Sequence, residues 1–457
     1  MLKYRKKKWL YFAILLLIAV AVWSLYTKQN VKKPEIGNRN NKEVVKTPEE
    51  FGANGFDNIP DTQSLQKAID NSSSIKLKDG ATYIIDKPLI SNHSITISTE
   101  KGAKKSAIIL QKNNQSALIF NNKRINSTYV TENVSKKQSY VVVKSTNDME
   151  PGDLFHLKSK KLWYWDNRSV LHKGELHKIT KIEGNKVYLD RPANDNYNIQ
   201  EGETVKAATF KSHYLRLHNI IFKHPNPSNT VMVKVNYASD TKIDNVSILN
   251  SKETGIFLNK TYGTSISNVR VELGTTKEIS TGYGIQDYGG TGTLITKSTF
   301  KKVRRGVDFS GDIPSRYGIV KNSRAYGSGK GTLALGNSGF GTHSTAEYIT
   351  FQNNYIENFD QAFVARGNYI TIKQNTLQGI SSRFVFASYG DNLKLLNNVY
   401  KSKNGNQLES FILLRVSYLG SIIATENIAA DQNGLFLKGN INQLSDIKLE
   451  ANKIKSQ

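Results

Sequence analysis

Residues 283–383 bring acidic, basic and imidazole side chains together in a chain that is otherwise repetitive. Carboxyl and imidazole groups are the usual general acids and bases of enzymes. The candidate catalytic residues are Asp308, Asp312, His343 and Glu347. The candidate substrate contacts in the same stretch are Asp287, Tyr288, Arg304, Arg305, Arg316, Tyr317, Arg366 and Arg383.

Two reactions on a polysaccharide fit these residue types. Glycoside hydrolysis uses a pair of carboxyl groups, one protonating the leaving oxygen and the other activating water or attacking. Asp308 could pair with Asp312, Glu347 or Asp287 for this purpose. A lyase instead needs a base at C5 of a uronate, here His343 or Tyr288, and positive charge beside the enolate-like intermediate. The candidate cations are Arg304, Arg316, Arg366 and Arg383.

The elements that must position these residues follow from a short apolar pattern. An aliphatic or β-branched residue is followed by two polar residues and another apolar one, at intervals from 21 residues (351 to 372) to 31 residues (320 to 351). A regular apolar column with variable spacing is typical of a solenoid whose loops vary in length. The local period of two indicates strands. We therefore predict an all-β, right-handed parallel β-helix with strands about 4.8 Å apart. The pattern opens at Leu217, Ile243, Ile266, Ile295, Val320, Phe351, Ile372, Leu395, Ala424 and Leu449.

Asparagine recurs inside this pattern in two places. Stacked amides can form a hydrogen-bonded ladder along the axis, and asparagine also tolerates the left-handed backbone of a turn. Neither role implies catalysis. The third place holds Asn219, Asn245, Asn268 and Asn322, and the fourth holds Asn354, Asn375, Asn398, Asn427 and Asn452.

A second apolar strand in each turn is predicted to determine whether the candidate side chains point into the core or outward. Its inward column is predicted to be Ile256, Ile285, Val307, Phe363, Val385, Ile412 and Leu435. The residues that follow then point outward: Phe257, Gln286, Asp308, Val364, Phe386, Leu413 and Phe436. If Thr342 also faces inward, His343 lies one turn from Asp308, with a carboxylate and an imidazole about 5 Å apart.

The amino-acid composition limits the kinds of molecule that the protein is predicted to bind. Lys and Arg outnumber Asp and Glu by 63 to 38, giving a net charge of +25, and this charge is spread along the chain. Such a field favours polyanions, but no motif that binds DNA or RNA accompanies it, so nucleic acid is not predicted. The absence of cysteine excludes disulfides and zinc-thiolate sites. No cofactor is predicted, although Asp308 and Asp312 with backbone carbonyls leave a Ca²⁺ site open.

The N-terminus predicts export and anchoring. Five basic residues within residues 3–8 precede an uncharged run at 9–26, which would span about 27 Å as a helix, close to the thickness of a bilayer. The basic flank places the rest of the chain outside the cell. A cleavable signal peptide is the alternative, which would make the protein secreted. Residues 1–26 are thus predicted to form a cytoplasmic stub and membrane anchor, and 27–50 a polar linker.

Residues 51–70, FGANGFDNIPDTQSLQKAID, begin with turn residues and continue as a short amphipathic helix with Leu65, Ala68 and Ile69 on its apolar face. Asp61 or Thr62 could cap this helix. The segment resembles the N-terminal signature of pectate-lyase-superfamily proteins, including phage tailspike-like β-helices. The phrases IKLKDGATYIIDKPLI and SITI resemble that family's first turns. The resemblance implies the fold, with a helix that shields strand edges over residues 51–138.

Residues 139–210 change to paired, alternating strands and predict a small inserted β-subdomain before the main β-helix at 211–457. This segment also resembles the corresponding insertion in the same family. Trp163 and Trp165 could stack on sugar rings, or they could simply fill the core of the subdomain. The chain lacks the Asp-Asp pair followed by Gly-His-Gly and Arg-Ile-Lys of polygalacturonases, so that mechanism is not transferred.

Two functions are compatible with these features. The first is a membrane-anchored extracellular hydrolase or lyase that acts on an anionic cell-wall or matrix glycan, such as a uronic-acid polymer or a teichoic-acid-like polymer. The second is a non-catalytic protein that binds such a glycan or organises the wall. The fold alone does not separate them, and the oligomeric state is not predicted.

Overall fold

Strands of successive turns stack in parallel along one axis and bury a continuous apolar column. The computed structural model describes residues 43–455, apart from 165–170, 275–280, 329–336, 380, 403–407, 416–417, 419, 431–434 and 443. The predicted column is confirmed in full and extends back by two turns to Ile75 and Ile97. Its members pair in the order Ile75, Ile97, Leu217, Ile243, Ile266, Ile295, Val320, Phe351, Ile372, Leu395, Ala424 and Leu449.

The strand bounds follow this stacking. The first turns contain Val45–Lys46, Ser74–Leu77, Thr82–Ile85, Leu89–Ser91, Ile95–Thr99, Ala107–Gln111 and Leu118–Asn121. The main β-helix contains Leu215–Ser228, Val231–Asn236, Lys242–Ser251, Thr254–Asn259, Ser265–Ser267, Arg270–Glu272, Tyr283–Tyr288, Leu294–Thr296, Thr299–Lys301, Arg305–Ser310, Ser315–Arg316, Ile319–Lys321, Arg324–Tyr326, Ser338–Thr342, Ala346–Glu347, Thr350–Gln352, Tyr355–Glu357, Gln361–Lys373, Thr376–Gln378, Arg383–Leu396, Val399–Lys401, Ser410–Leu414, Gly420–Thr425, Ile428–Ala430, Leu435–Lys438, Leu444–Glu450 and Lys453–Lys455.

The N-terminal turns confirm the predicted helix and shorten the predicted linker. The helix Thr62–Asp70 buries Leu65, Ala68 and Ile69 against the solenoid core. Asp61 precedes it but makes no capping bond, because its carboxylate accepts the N–H groups of Asn54 and Ile84 instead. The predicted linker at 27–50 ends early, since Val45–Lys46 already pairs with the first solenoid strand and the 3-10 helix Pro48–Phe51 follows.

The two sets of asparagines have different roles. The third-place residues adopt left-handed backbone, for example Asn219 with φ 57° and Asn322 with φ 54°. The fourth-place residues form the ladder, with each side-chain N–H donating to the next side-chain oxygen at 2.9 to 3.0 Å. Both predicted roles are therefore present, at neighbouring positions. The ladder runs through Asn354, Asn375, Asn398, Asn427 and Asn452.

A six-stranded antiparallel sheet interrupts the solenoid. It begins at Arg124, earlier than the predicted boundary at 139, and has its own apolar core around Phe155, Val187 and Tyr197. A short 3-10 helix, Ile199–Glu201, precedes its last strand. We call this six-stranded antiparallel sheet the inserted sheet. Its strands are Arg124–Tyr129, Tyr140–Val142, Leu154–Tyr164, Leu171–Glu183, Lys186–Leu189 and Val205–Phe210.

The predicted membrane anchor at 9–26 lies outside the described residues. Within the part of the chain that the structure describes, no helix has the length and apolar character needed to cross a bilayer.

Candidate active site

The second apolar column confirms the predicted direction of Asp308. Ile256, Ile285 and Val307 pair in register and point into the core, and Phe340 joins them between Val307 and Phe363. Asp308 therefore lies in the outward column, after Phe257 and Gln286. At the far end the predicted column is wrong by two residues: Ile412 pairs with Leu437 and Leu413 with Lys438, whereas Leu435 is 68% exposed.

His343 and Asp308 are in direct contact. Thr342 is buried and pairs with Phe309, so the chain emerges at His343 one turn along from Asp308. The imidazole Nδ1 lies 2.9 Å from Asp308 Oδ2, and the Arg305 guanidinium donates to the other carboxylate oxygen. The Asp308 side chain is fully buried, whereas 31% of the His343 side chain is exposed. The Asp308–His343 dyad, together with Arg305, is called the dyad centre below.

Gly341 makes room for this arrangement. It occupies the outward column directly beside Asp308. A Cβ atom at this position would lie 3.2 Å from the Arg305 side chain and 3.1 Å from Val364. A larger residue would therefore push Arg305 away from the carboxylate that it neutralises.

Electrostatics set the protonation state of the dyad centre. Burial alone would raise the pKa of Asp308, but His343 and Arg305 outweigh it and hold that pKa well below its usual range. Burial lowers the pKa of His343, Asp308 opposes this, and the charges of Arg305 and Arg366 lower it further. At neutral pH the carboxylate is ionised and the imidazole is neutral. Since a carboxylate only accepts hydrogen bonds, Nδ1 carries the proton and Nε2 has a free lone pair.

Comparison with known proteins supports the fold. A family model described as a right handed beta helix region matches residues 211–400. The capsule K1-specific depolymerase of Klebsiella phage K64-1 is 26% identical over 235 residues, covering 50% of this chain and 26% of that protein. The chain therefore spans about a quarter of the length of this curated relative.

Solved structures share the architecture at low identity. The tailspike gp49 of Pseudomonas phage LKA1 has a TM-score of 0.67 at 15% identity, covering 90% of this chain and 78% of that one. The chain therefore has a right-handed parallel β-helix fold. The gp54 tailspike of Acinetobacter baumannii bacteriophage AP22, solved in complex with capsular saccharide, gives 0.64 at 14% identity, covering 90% and 70%.

Three further arginines of the β-helix lie near the dyad centre or in neighbouring turns. Arg366, whose charge acts on His343, donates to Ser388 Oγ at 3.1 Å and lies over the Phe386 ring. Arg383 is 3.5 Å from Glu409. Arg304 is buried, donates to the Thr281 carbonyl at 2.7 Å and packs over Tyr283. Arg366 is thus the best-placed predicted cation for a reacting anion beside His343.

The remaining predicted residues of the loop after Asp308 join the inserted sheet to the β-helix instead. Arg316 is fully buried and donates to Glu347, Asp195 and the Gly174 carbonyl, each at 2.7 Å. We call this contact, with Asp312 and Tyr317, the docking patch. These carboxylates raise the pKa of Arg316 despite its burial, so its charge is permanent.

Asp312, Tyr317 and Trp163 complete the docking patch. Asp312 pairs with Lys158 of the inserted sheet and, at 2.7 Å, with Lys260. Tyr317 donates to Asn194 and stacks on Tyr348 at 5.2 Å. Trp163 donates to Asp195 at 3.2 Å, and the Arg316 guanidinium lies over its ring at 5.8 Å. These contacts favour the packing role of Trp163, and Trp165 lies outside the described residues.

Asp287 and Tyr288 point in opposite directions. Asp287 faces inward, is 1% exposed, and accepts from Thr293, Ser315 and the Gly290 N–H. Burial raises its pKa. Tyr288 faces outward, and burial and the charge of Asp312 raise its pKa, so its phenol keeps its proton. Tyr288 is therefore a poor base, and Asp287 cannot pair with Asp308 across a substrate.

Proton transfer by His343 is the chemistry that this geometry supports best. The carboxyl pairs predicted for glycoside hydrolysis do not form at an accessible position. Asp308 and Asp287 are buried, Glu347 is held by Arg316, and Asp312 is held by two lysines. The Ca²⁺ site considered from the sequence does not fit either, because Asp308 and Asp312 each have separate cationic partners. Within the described ranges, no cluster of three or more His, Cys, Asp or Glu side chains could hold a metal.

A second histidine–aspartate pair was not predicted. His218 Nδ1 lies 3.1 Å from Asp244 Oδ2, and their side chains are 57% and 40% exposed. A signal was available, because each follows a residue of the first apolar column, Leu217 and Ile243, that pairs in register. Unlike Asp308, Asp244 is open to solvent, where such ion pairs contribute little.

Proposed function

We propose that this β-helix protein is a carbohydrate-active enzyme that cleaves an anionic polysaccharide by proton abstraction, with His343 as the base. The contact between buried, ionised Asp308 and half-exposed His343 carries the proposal. The depolymerase and tailspike relatives support a polysaccharide substrate. The net charge of +25 supports an anionic one.

The reaction follows from the free lone pair of His343. Nε2 takes the proton from C5 of a uronate residue, and the electron pair moves toward the sugar carboxylate. The Arg366 guanidinium stabilises the charge that develops there. The bond from C4 to the bridging oxygen then breaks, a C4–C5 double bond forms, and the imidazolium returns its proton to the leaving oxygen. Asp308 acts as a positioning residue that fixes the Nδ1–H tautomer.

The proposed location is the outer face of the cell membrane. The basic residues at 3–8 and the uncharged run at 9–26 support a single-pass anchor with the β-helix outside. A cleaved segment would give a secreted enzyme instead. Protease accessibility on intact cells, with mass spectrometry of the mature N-terminus, separates these two outcomes.

A glycan panel tests the reaction. The protein is incubated with polygalacturonate, alginate, hyaluronan and wall teichoic acid, and products are analysed by mass spectrometry for unsaturated ends. Elimination products lack the water that hydrolysis adds. We expect unsaturated ends with the wild type, and a 10²- to 10⁴-fold lower rate for His343→Gln, roughly the contribution of a general base.

His218→Gln is the matched control, because it removes the imidazole of a solvent-exposed histidine–aspartate pair. It should leave the rate unchanged, and both variants should keep the thermal midpoint of the wild type. Hydrolysis products would point to a different reaction. Salt-sensitive binding without any product would favour the non-catalytic glycan-binding alternative.

A further inference from the structure

An aromatic surface lies in the outward columns on the N-terminal side of the dyad centre. Phe257 and Tyr288 are half-buried, and their ring centroids are 5.7 Å apart with planes tilted by 38°. Phe257 pairs in register with Gln286, and Gln286 with Asp308. This pair of rings is called the aromatic shelf. Half-buried rings on an outward strand face cannot be explained as solenoid core, because the inward residues are Ile256 and Leu258 in the strand of Phe257, and Ile285 and Asp287 in that of Tyr288.

Cationic side chains border the shelf. Lys234 Nζ lies 5.9 Å from the centre of the Phe257 ring, and Lys260 Nζ lies 5.4 Å from that of Tyr288. Lys260 is paired with Asp312. For Lys234, by contrast, no carboxylate partner is found among the residues that the structure describes. Its charge is therefore available to an anionic ligand.

Amide groups lie beside the two rings. Asn259 and Tyr288 pair in register, and Asn259 donates to Asn236 at 3.0 Å. Flat apolar faces, amides and one unpaired ammonium suit a pyranose ring that carries a carboxylate. Hydrophobic rings alone would suit many ligands, but the lysine selects for negative charge.

The shelf is aligned with the dyad centre along the solenoid axis. Lys234, Phe257, Gln286 and Asp308 occupy four consecutive turns of one column. At about 4.8 Å per turn, Lys234 lies roughly 14 Å from Asp308 along the axis. A glycan that followed the axis would contact the shelf while a neighbouring part of the same chain reached His343.

We propose that Lys234, Phe257 and Tyr288 form a binding subsite for an acidic sugar residue of the polysaccharide. The direction of the glycan along the axis rests on the proposed function of His343, whereas binding at the shelf does not. The proposal therefore has its own test.

Affinity electrophoresis in gels that contain polygalacturonate, alginate or hyaluronan measures binding without turnover. All measurements use the His343→Gln background, so that no polymer is consumed. We expect Phe257→Ala to weaken binding about tenfold, the scale of one lost ring contact. Lys234→Gln should weaken binding several-fold and reduce its dependence on salt. Dextran, a neutral polymer, should retard none of these proteins.

Lys186→Gln is the matched control. Lys186 also lies over an aromatic ring, Tyr140, at 4.4 Å, but in the inserted sheet, and its replacement removes the same charge. It should bind like the parent. If Phe257→Ala lowers the thermal midpoint, Lys234→Gln alone decides the test.

The outcomes separate the two proposals. Unchanged binding by Lys234→Gln, or a loss as large with Lys186→Gln, would overturn the subsite. It would equally be overturned if none of the acidic polymers retarded the parent, or if single-stranded DNA competed as well as they did. Turnover that survives in His343→Gln would instead remove the proposed base and leave the subsite standing.

Discussion

The dyad centre and the docking patch take their arginines from the same stretch of sequence and use the same chemistry. In each, a buried arginine, Arg305 or Arg316, neutralises carboxylates that are buried or only partly exposed. They differ in whether a nitrogen atom remains that can accept a proton. The Arg316 charge is divided among Glu347, Asp195 and a carbonyl, whereas the dyad centre leaves one imidazole nitrogen beside solvent. Charge density therefore does not distinguish a candidate active site from a structural contact, but an unused proton acceptor does.

The largest expected effect is on stability, at the docking patch. Arg316→Met leaves Asp195 and Glu347 without their cation, and breaking a buried ion pair in this way costs about 3–5 kcal/mol. Chemical denaturation should show that loss in the free energy of unfolding. Arg324→Met, which removes an exposed arginine of the solenoid, is the control and should change stability by less than about 0.5 kcal/mol. Equal effects of the two variants would remove the distinction drawn here.

The next effect is on catalysis, at the dyad centre. Asp308→Asn removes the carboxylate that fixes the imidazole tautomer, so the plateau rate should fall by roughly 10²- to 10⁴-fold. The charge of Asp308 raises the pKa of His343. Without it the imidazole loses its proton at lower pH, and the acid limb of the kcat/KM profile should move to lower pH. A fall in rate with an unmoved limb would show that Asp308 does not act through His343.

Arg366→Gln should lower the rate less than Asp308→Asn does, and should shift the acid limb of the kcat/KM profile in the opposite direction. Its charge lowers the pKa of His343, so its removal raises that pKa and moves the acid limb to higher pH. The rate should fall by roughly 10²-fold, as when one donor to a developing anion is lost. Measured side by side, Asp308→Asn and Arg366→Gln bracket the wild-type profile. Shifts in the same direction would contradict the assignment of His343 as the base.

The apolar columns could be predicted from sequence because stacking imposes them directly. Each turn must place an aliphatic or aromatic residue over the last, whatever its loops do, and all ten predicted members, from Leu217 to Leu449, pair as expected. The wrong prediction for Leu435 arose because two alignments of its strand satisfy this constraint equally well. Leu435 and Leu437 are both leucines two residues apart, and a slip of two keeps every side chain on its face.

Contact between His343 and Asp308 followed from the same register, but the docking patch could not. Arg316 pairs with Asp195 and Gly174, which are 121 and 142 residues away in the sequence. The orientation of the inserted sheet on the solenoid leaves no periodic trace. Asp312, Glu347 and Tyr317 therefore appeared to belong with Asp308, although their partners lie in the docking patch.

Because the columns alone set the register, segment length is decoupled from the core. The intervals between successive members of the first apolar column vary from 21 to 31 residues between Leu217 and Leu449, so residues can be inserted between turns at little cost, since doubling a flexible loop costs only about 0.6 kcal/mol in closure entropy. Such insertions would leave every stacked pair in place. The β-helix can thus acquire new specificity by exchanging surface segments, while the stacked columns beneath those segments stay unchanged.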